Sequence, residues 1–307
     1  MTAIVNNLLD LKALSRSKDL PFIARTLAQG FLHGSHGSIQ RGVGIEFSQY
    51  RAYEPGDDLA KVDWKLFART DKYFVREAER ESDTCLWFAL DSSASMSHRN
   101  QANKNNSNNI TKLQFAKVVA ATIGYIAQLQ GDSLGCIALS AEKPTFLPAH
   151  GGYKHWQKLL LTLNAIKPCD NFPDYQQVYT QLQTMRRSGI VFVFSDFYQA
   201  NDEIYQLINQ LVDKRTEVIA VQLESSDEIN FDFDDVIRFE DLESQQAYLL
   251  SPKLAKNSYL ANRAAFNQEL NSYLSSKGVT HWRVDIDQPI DETLYQYLAA
   301  RQRVLSV

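Results

Sequence analysis

One short segment of the sequence combines a carboxylate with several hydroxyl groups. Residues 91–95 read Asp-Ser-Ser-Ala-Ser and directly follow an apolar run at 85–90. The spacing of Asp91, Ser93 and Ser95 allows one tight turn to present three side-chain oxygens on the same side. Hard oxygen ligands of this kind suit Mg²⁺, Mn²⁺ or Ca²⁺ better than a soft metal. The segment therefore predicts part of a divalent-metal site.

A second carboxylate occupies the same kind of position farther along the chain. Asp196 follows the apolar run 190–194, much as Asp91 follows its own run. Both runs are short and rich in strand-forming residues, which favours buried strands. Neighbouring parallel strands end at one edge of the sheet, where open α/β proteins bind ligands. We therefore expect Asp196 to join Asp91, Ser93 and Ser95 in the metal site.

Two alternative roles stay open for the same residues. In a purely structural role, Ser93 and Ser95 cap the next helix and Asp91 accepts backbone hydrogen bonds in a turn. In a catalytic role, Asp91 is the nucleophile of a metal-dependent phosphotransferase of the haloacid-dehalogenase type. Those enzymes need a second aspartate two residues later, where this chain has Ser93. The sequence also lacks a G-x-S-x-G elbow and a P-loop, so we predict that the protein is not an enzyme.

The sequence around these residues resembles two known classes of protein. The segment 91–95 resembles the metal-ion-dependent adhesion site of von Willebrand factor type A domains. Upstream segments resemble the signature of the bacterial "domain of unknown function 58" proteins: Gly-Val-Gly-Ile-Glu-Phe at 42–47, Arg-Ala-Tyr-Glu-Pro-Gly-Asp-Asp at 51–58, Val-Asp-Trp-Lys at 62–65 and Ala-Arg-Thr at 68–70. The chain is identified as a member of that family from about Gly37 onward.

The resemblance implies a protein-binding module with a bound divalent ion. In type A domains the ion, here Mg²⁺ or else Mn²⁺ or Ca²⁺, would be held by Asp91, Ser93, Ser95 and Asp196. A vacant coordination position then accepts a carboxylate of a partner protein. Members of the family are often encoded beside a MoxR-type AAA+ ATPase, which implies that ATPase or its client as the partner. The implied role is in assembly or maturation of a protein complex.

One ligand that is usual in type A domains is missing. These domains add a threonine from the loop between the second and third helices, but residues 167–175 contain none. Asp170, Asn171 and Asp174 are the candidates to replace it. A carboxylate at one of these positions would strengthen ion binding and weaken the attraction between the ion and a partner's carboxylate. The alternative is a metal-free scaffold with a degenerate site.

Composition limits the class of partner and the compartment. The chain of 307 residues is 44% hydrophobic and has a net charge of −4 at pH 7, which gives no argument for nucleic-acid binding. Its three cysteines cannot all pair, and two lie in apolar runs, as is typical of a reducing compartment. No run approaches the roughly 20 apolar residues of a membrane span, and residues 1–11 lack a signal-peptide pattern. We expect a cytoplasmic protein without a membrane span.

Helix and strand patterns alternate along most of the chain. Helices are predicted at 3–14, 21–32, 112–130, 154–166, 175–187, 202–214, 254–277 and 290–301. Strands are predicted at 85–90, 134–139, 145–147, 189–194, 217–223 and 279–284, with a hairpin within 229–250. This alternation predicts an α/β fold, a doubly wound, mostly parallel sheet of the type A or Rossmann-like kind. Residues 1–82 are expected to add helices and a β-rich element that pack on the main domain at 83–307.

Overall fold

A computed structural model describes residues 19–34, 50–52, 67, 69, 73–76, 84–100, 110–141, 145–169, 172–173, 175–185, 189–198, 202–213, 216–231, 237–240, 247–250 and 252–305. Within these ranges the helices are α1 (Leu20–Gly34), α2 (Lys112–Leu129), α3 (Tyr153–Ala165), α4 (Tyr175–Thr184), α5 (Glu203–Asp213), α6 (Ser226–Asn230), α7 (Pro252–Ser276) and α8 (Ile290–Leu305). The strands are β1 (Tyr50–Ala52), β2 (Phe74–Arg76), β3 (Cys85–Asp91), β4 (Ser133–Leu139), β5 (Thr145–His150), β6 (Gly189–Ser195), β7 (Glu217–Glu224), β8 (Ile237–Glu240), β9 (Ala247–Leu250) and β10 (Thr280–Asp285). The helix predicted at 3–14 lies outside the described residues.

A six-stranded sheet forms the centre of the fold, in the order β10-β7-β6-β3-β4-β5. Its strands are parallel except β5, which pairs antiparallel with β4. The central strand β3 is buried along its whole length, and β4 and β6 pair with it on either side. The doubly wound, mostly parallel sheet expected from the sequence is therefore confirmed.

Alternate residues of β3 point into two separate apolar layers. Leu86, Phe88 and Leu90 pack with α1, α2, α3 and α8 on one face of the sheet. Cys85, Trp87 and Ala89 pack with α4, α5 and α7 on the other. This two-residue alternation is what a strand covered on both faces requires. Both layers hold β3 firmly, and its last residue, Asp91, begins the candidate site.

The elements outside the large sheet agree in part with the sequence predictions. The apolar side of α1 belongs to the same core as α2, while the proposed division of the chain at residue 82 stays a prediction. The strands β1 and β2 form an antiparallel pair, and β8 with β9 forms the hairpin predicted within 229–250. The short helix α6 was not predicted, and it supplies one residue of the candidate site.

Candidate functional site

The carboxyl ends of β3 and β6 bring the two predicted carboxylates to one edge of the sheet. The strands are parallel neighbours, with Leu90 paired to Phe194, and Asp91 and Asp196 follow within two residues of that pair. Both side chains are buried, at 0% and 1% exposure. A buried carboxylate needs hydrogen bonds or an opposite charge, so the partners of these two residues decide what the site can do.

Hydrogen bonds from Ser93 and Ser195 fix the Asp91 carboxylate in place. The backbone N–H of Ser93 donates to Oδ1 at 2.8 Å, and the Ser195 hydroxyl donates to Oδ2 at 2.6 Å. Ser195 in turn accepts a hydrogen bond from the backbone N–H of Phe197 at 3.0 Å. The last residue of β6 therefore orients the last residue of β3.

The hydroxyl groups of Ser93 and Ser95 face one another, with their oxygens 3.1 Å apart. A short 3₁₀ helix at Ala94–Ser97 follows Ser93, but the Ser93 side chain makes no capping hydrogen bond to it. Helix capping is therefore not the role of Ser93. Ser95 is half-buried, whereas Ser93 is fully buried, so the site is more open to solvent on the side of Ser95.

The electrostatics around Asp91 favour a positive charge. Burial raises the pKa of Asp91 to about 6, and the negative charge of Asp196 adds to this effect, against the hydrogen bonds from Ser195 and Ser93, which lower it. The carboxylates of Asp91 and Asp196 are therefore both buried and close enough to interact electrostatically. A cation at this edge would relieve both the desolvation and the mutual repulsion.

A lysine that the sequence analysis did not single out supplies one such charge. Lys112 is the first residue of α2 and only 1% exposed. Its Nζ lies 3.1 Å from Asp196 Oδ2 and 2.7 Å from Glu228 Oε1. Burial alone would lower the pKa of Lys112, but the charges of Asp196 and Glu228 hold it above its ordinary value. The side chain is therefore a buried ammonium ion shared between two carboxylates.

The helix α6 positions Glu228 for this contact. The backbone N–H of Ser225 donates to Glu228 Oε2 at 2.8 Å, which leaves Oε1 for Lys112. His98 Nε2 lies 3.3 Å from Asp227 Oδ1 and so connects the segment after residues 91–95 to the same helix. Burial would raise the pKa of Glu228, but the ammonium group of Lys112 holds it below its ordinary value.

Cys169, at the start of the loop that was expected to replace the missing threonine, lies beside the Asp91 turn. The backbone N–H of Cys169 donates to the carbonyl oxygen of Ser92 at 2.7 Å. The Ser92 hydroxyl donates to the carbonyl oxygen of Leu139 in β4 at 2.8 Å. Cys169 thus contacts the Asp91 turn, while Asp170 and Asp174 lie outside the described residues.

The donor set fits a hard divalent ion. Asp91, Ser93 and Ser95 provide oxygens within one turn, and Asp196 provides a carboxylate beside them. In the part of the chain that the structure describes, no group of three or more His, Cys, Asp or Glu residues is arranged to hold a metal. The predicted site has two carboxylates and two hydroxyls, so it would not form a group of that kind. Its four residues therefore stay a prediction that rests on the chemistry of their oxygens.

Residues 49–269 match the family described as "Protein of unknown function DUF58". The chain belongs to the DUF58 family. The matched region of this DUF58 chain includes both carboxylates of the site, the hydroxyls of Ser93 and Ser95, and Lys112. The family membership inferred from the upstream segments is therefore confirmed.

This DUF58 chain is similar to several other proteins. It is 26% identical to "Uncharacterized protein Rv1480" of Mycobacterium tuberculosis over 302 residues. The aligned region covers 96% of this chain and 91% of the relative. The conserved hypothetical protein BatB of Bacteroides thetaiotaomicron has a similar structure, with 13% identity, coverage of 69% of this chain and 98% of BatB, and a TM-score of 0.41. The SpRpn10 VWA domain has 10% identity, coverage of 69% and 94%, and a TM-score of 0.38.

Among the described helices of the DUF58 chain, none combines the length and the apolar character that a membrane crossing demands.

Proposed function

We propose that this protein is a non-catalytic interaction module that docks a protein partner through a divalent ion. The ion is Mg²⁺, or else Mn²⁺ or Ca²⁺, at the carboxyl edge of the sheet. Ser93 and Ser95 are the direct ligands, Asp91 supplies negative charge, and Asp196 binds the ion directly or through water. When bound, the ion supplies a coordination position for a carboxylate of the partner.

One observation supports this proposal more than any other. The buried Asp91 carboxylate, with its pKa raised to about 6 by burial and by Asp196, lies in the same turn as two facing hydroxyls. The carboxylate needs positive charge, and the hydroxyl oxygens are the ligands that a hard cation accepts.

The same geometry argues against Asp91 as a nucleophile. Both of its oxygens already accept hydrogen bonds, from Ser93 and Ser195, and its side chain is fully buried. Position 93 carries a serine where a phosphotransferase of this type needs an acid/base. A binding role is therefore the better match to these residues.

The partner follows from the family resemblance. We propose a MoxR-type AAA+ ATPase or its client, with the complex acting in assembly or maturation of other proteins in the cytoplasm. A carboxylate of that partner would complete the coordination of the ion. Removal of the ion with a chelator should then release the partner.

The first experiment measures Mg²⁺ and Mn²⁺ binding by calorimetry. We expect binding by the wild-type chain and none by Asp91→Ala. Glu269→Ala is the matched control, because Glu269 is an exposed carboxylate on α7, and it should bind like the wild type. Absence of binding by the wild type at millimolar metal would overturn the metal part of the proposal.

The second experiment tests the partner. The wild-type chain should capture a purified MoxR-type ATPase in Mg²⁺ and lose it in chelator, and Asp91→Ala should fail in both. Equal capture with and without the metal would show that docking does not use the ion.

A further inference from the structure

We infer that Lys112 competes with the divalent ion for Asp196, and so limits how tightly the site holds its metal. The inference rests on the proposed function and adds to it a residue that sets the affinity. It concerns a buried positive charge that lies beside the predicted metal ligands.

The competition follows from the contacts of Asp196. Its Oδ2 accepts a hydrogen bond from Lys112 Nζ at 3.1 Å, and its Oδ1 accepts one from the backbone N–H of Tyr198 at 3.2 Å. A metal ion that binds Asp196 must therefore share its carboxylate with the ammonium group of Lys112, which already neutralises it. The two cations also repel each other at short range in a buried place, where screening is weak.

The main chain at Lys112 is held in place. It is the first residue of α2, its neighbour Leu113 is buried in the core, and its backbone N–H donates to the carbonyl oxygen of His98 at 3.1 Å. A lysine at a helix N-terminus is also disfavoured by the helix dipole. Its position there is therefore maintained by the carboxylates of Asp196 and Glu228.

Glu228 moderates the competition. It lies closer to the ammonium group than Asp196 does, at 2.7 Å against 3.1 Å, and its own charge is partly accessible, at 21% side-chain exposure. By holding Lys112 it leaves Asp196 partly available to the ion. Without the Glu228 charge, Lys112 should therefore pair with Asp196 alone, and metal binding should become weaker.

The sum of the charges around the site indicates what Lys112 contributes. Asp91, Asp196 and Glu228 carry three negative charges against the one positive charge of Lys112, so a divalent ion makes the group neutral. Without Lys112, the same ion would leave a net negative charge that repels a partner's carboxylate. Lys112 thus lowers the affinity for the metal and keeps the bound ion attractive to an acidic group.

The test is calorimetric titration with Mn²⁺ alone, on the full chain, with folding checked by thermal unfolding in chelator. We expect Lys112→Met to bind Mn²⁺ about tenfold more tightly than the wild type and Glu228→Gln to bind several-fold more weakly. Lys117→Met is the matched control, because Lys117 lies on the same helix and its Nζ donates to the carbonyl oxygen of Ile166 at 2.5 Å rather than to a carboxylate. It should bind like the wild type.

The outcomes separate this inference from the proposed function. A wild-type chain that binds Mn²⁺ together with a Lys112→Met variant that binds equally or more weakly overturns the inference alone. Binding by Lys112→Met but not by the wild type supports the inference and removes the metal from the native function. Binding by neither overturns both. If Lys112→Met does not fold, tighter binding by Glu228→Gln overturns the inference and weaker binding supports it, since Glu228→Gln keeps the lysine.

Discussion

Lys112 and Asp196 form a buried ion pair between the start of α2 and the residue after β6, with 3.1 Å between Nζ and Oδ2. The two residues are 84 positions apart in the sequence, and each side chain is 1% exposed. Charges this deeply buried are stable only together, because an isolated one would be strongly desolvated. The pair therefore couples the stability of the fold to the charge of the candidate site.

The first prediction concerns this pair. Asp196→Asn should lower the free energy of unfolding by about 3–5 kcal/mol, because the Lys112 ammonium then keeps only Glu228 as a charged partner. Urea unfolding in chelator measures the change. In the double variant with Lys112→Met, the loss should be smaller than the sum of the two single losses by about 1–3 kcal/mol. Additive losses would mean that the pair is not coupled.

The second prediction concerns Ser195. Ser195→Ala removes the hydroxyl that donates to Asp91 Oδ2 at 2.6 Å, so the free energy of unfolding should fall by about 1–3 kcal/mol. The same substitution at Ser272, whose hydroxyl donates to a backbone carbonyl on the exposed side of α7, should change it much less. Equal losses at both positions would show that Asp91 does not depend on Ser195.

The third prediction concerns pH. Burial lowers the pKa of His281 to about 4, and the charge of Arg283 lowers it further against the opposite effect of Glu224. The unfolded chain binds a proton near pH 6.5, whereas the folded chain resists it, so folding stability should decrease as the pH falls from 6.5 through 4.

His281→Gln should make this decrease shallower, because the substituted side chain has no proton to bind. Chemical unfolding measured at several pH values between 4 and 7 tests the slope. An unchanged slope in His281→Gln would contradict the prediction.

The fourth prediction concerns the contact between β3 and β4. A Cβ on Gly135 would clash with the ring of Trp87, its partner across the parallel pair. Since Trp87 is buried against the sheet, Gly135→Ala should lower the free energy of unfolding by about 1–3 kcal/mol. Gly151→Ala is the control, because the nearest atom to its added Cβ would be 3.9 Å away. Equal effects at the two glycines would rule out the steric cause.

Most strands and helices were predictable from the spacing of their apolar residues. The strands show the apolar runs of a sheet that is covered on both faces, and the helices show the helical repeat. The end of β5 was harder to predict, since Pro148 normally argues against a strand. It is tolerated because β5 is an edge strand. The five-residue α6 is too short for its periodicity to show, although Ser225 and Glu228 have the spacing of a capping box.

The site was predictable only where strand ends indicate it. Asp91 and Asp196 each follow an apolar run, so their shared edge could be inferred from the order of elements. Lys112 contacts acids 84 and 116 positions away, and no local pattern specifies such distances. The one local signal was a lysine in the first turn of a helix, where the dipole disfavours a positive charge.

The hydrogen bonds of Ser92 have a kinetic consequence. Its carbonyl oxygen accepts from Cys169 and its hydroxyl donates to Leu139, so the turn after β3 is held between two other segments before anything binds. A ligand that reaches this edge meets oxygens that need no rearrangement of the chain. We therefore expect its association rate to be governed by encounter and by the loss of its own hydration water.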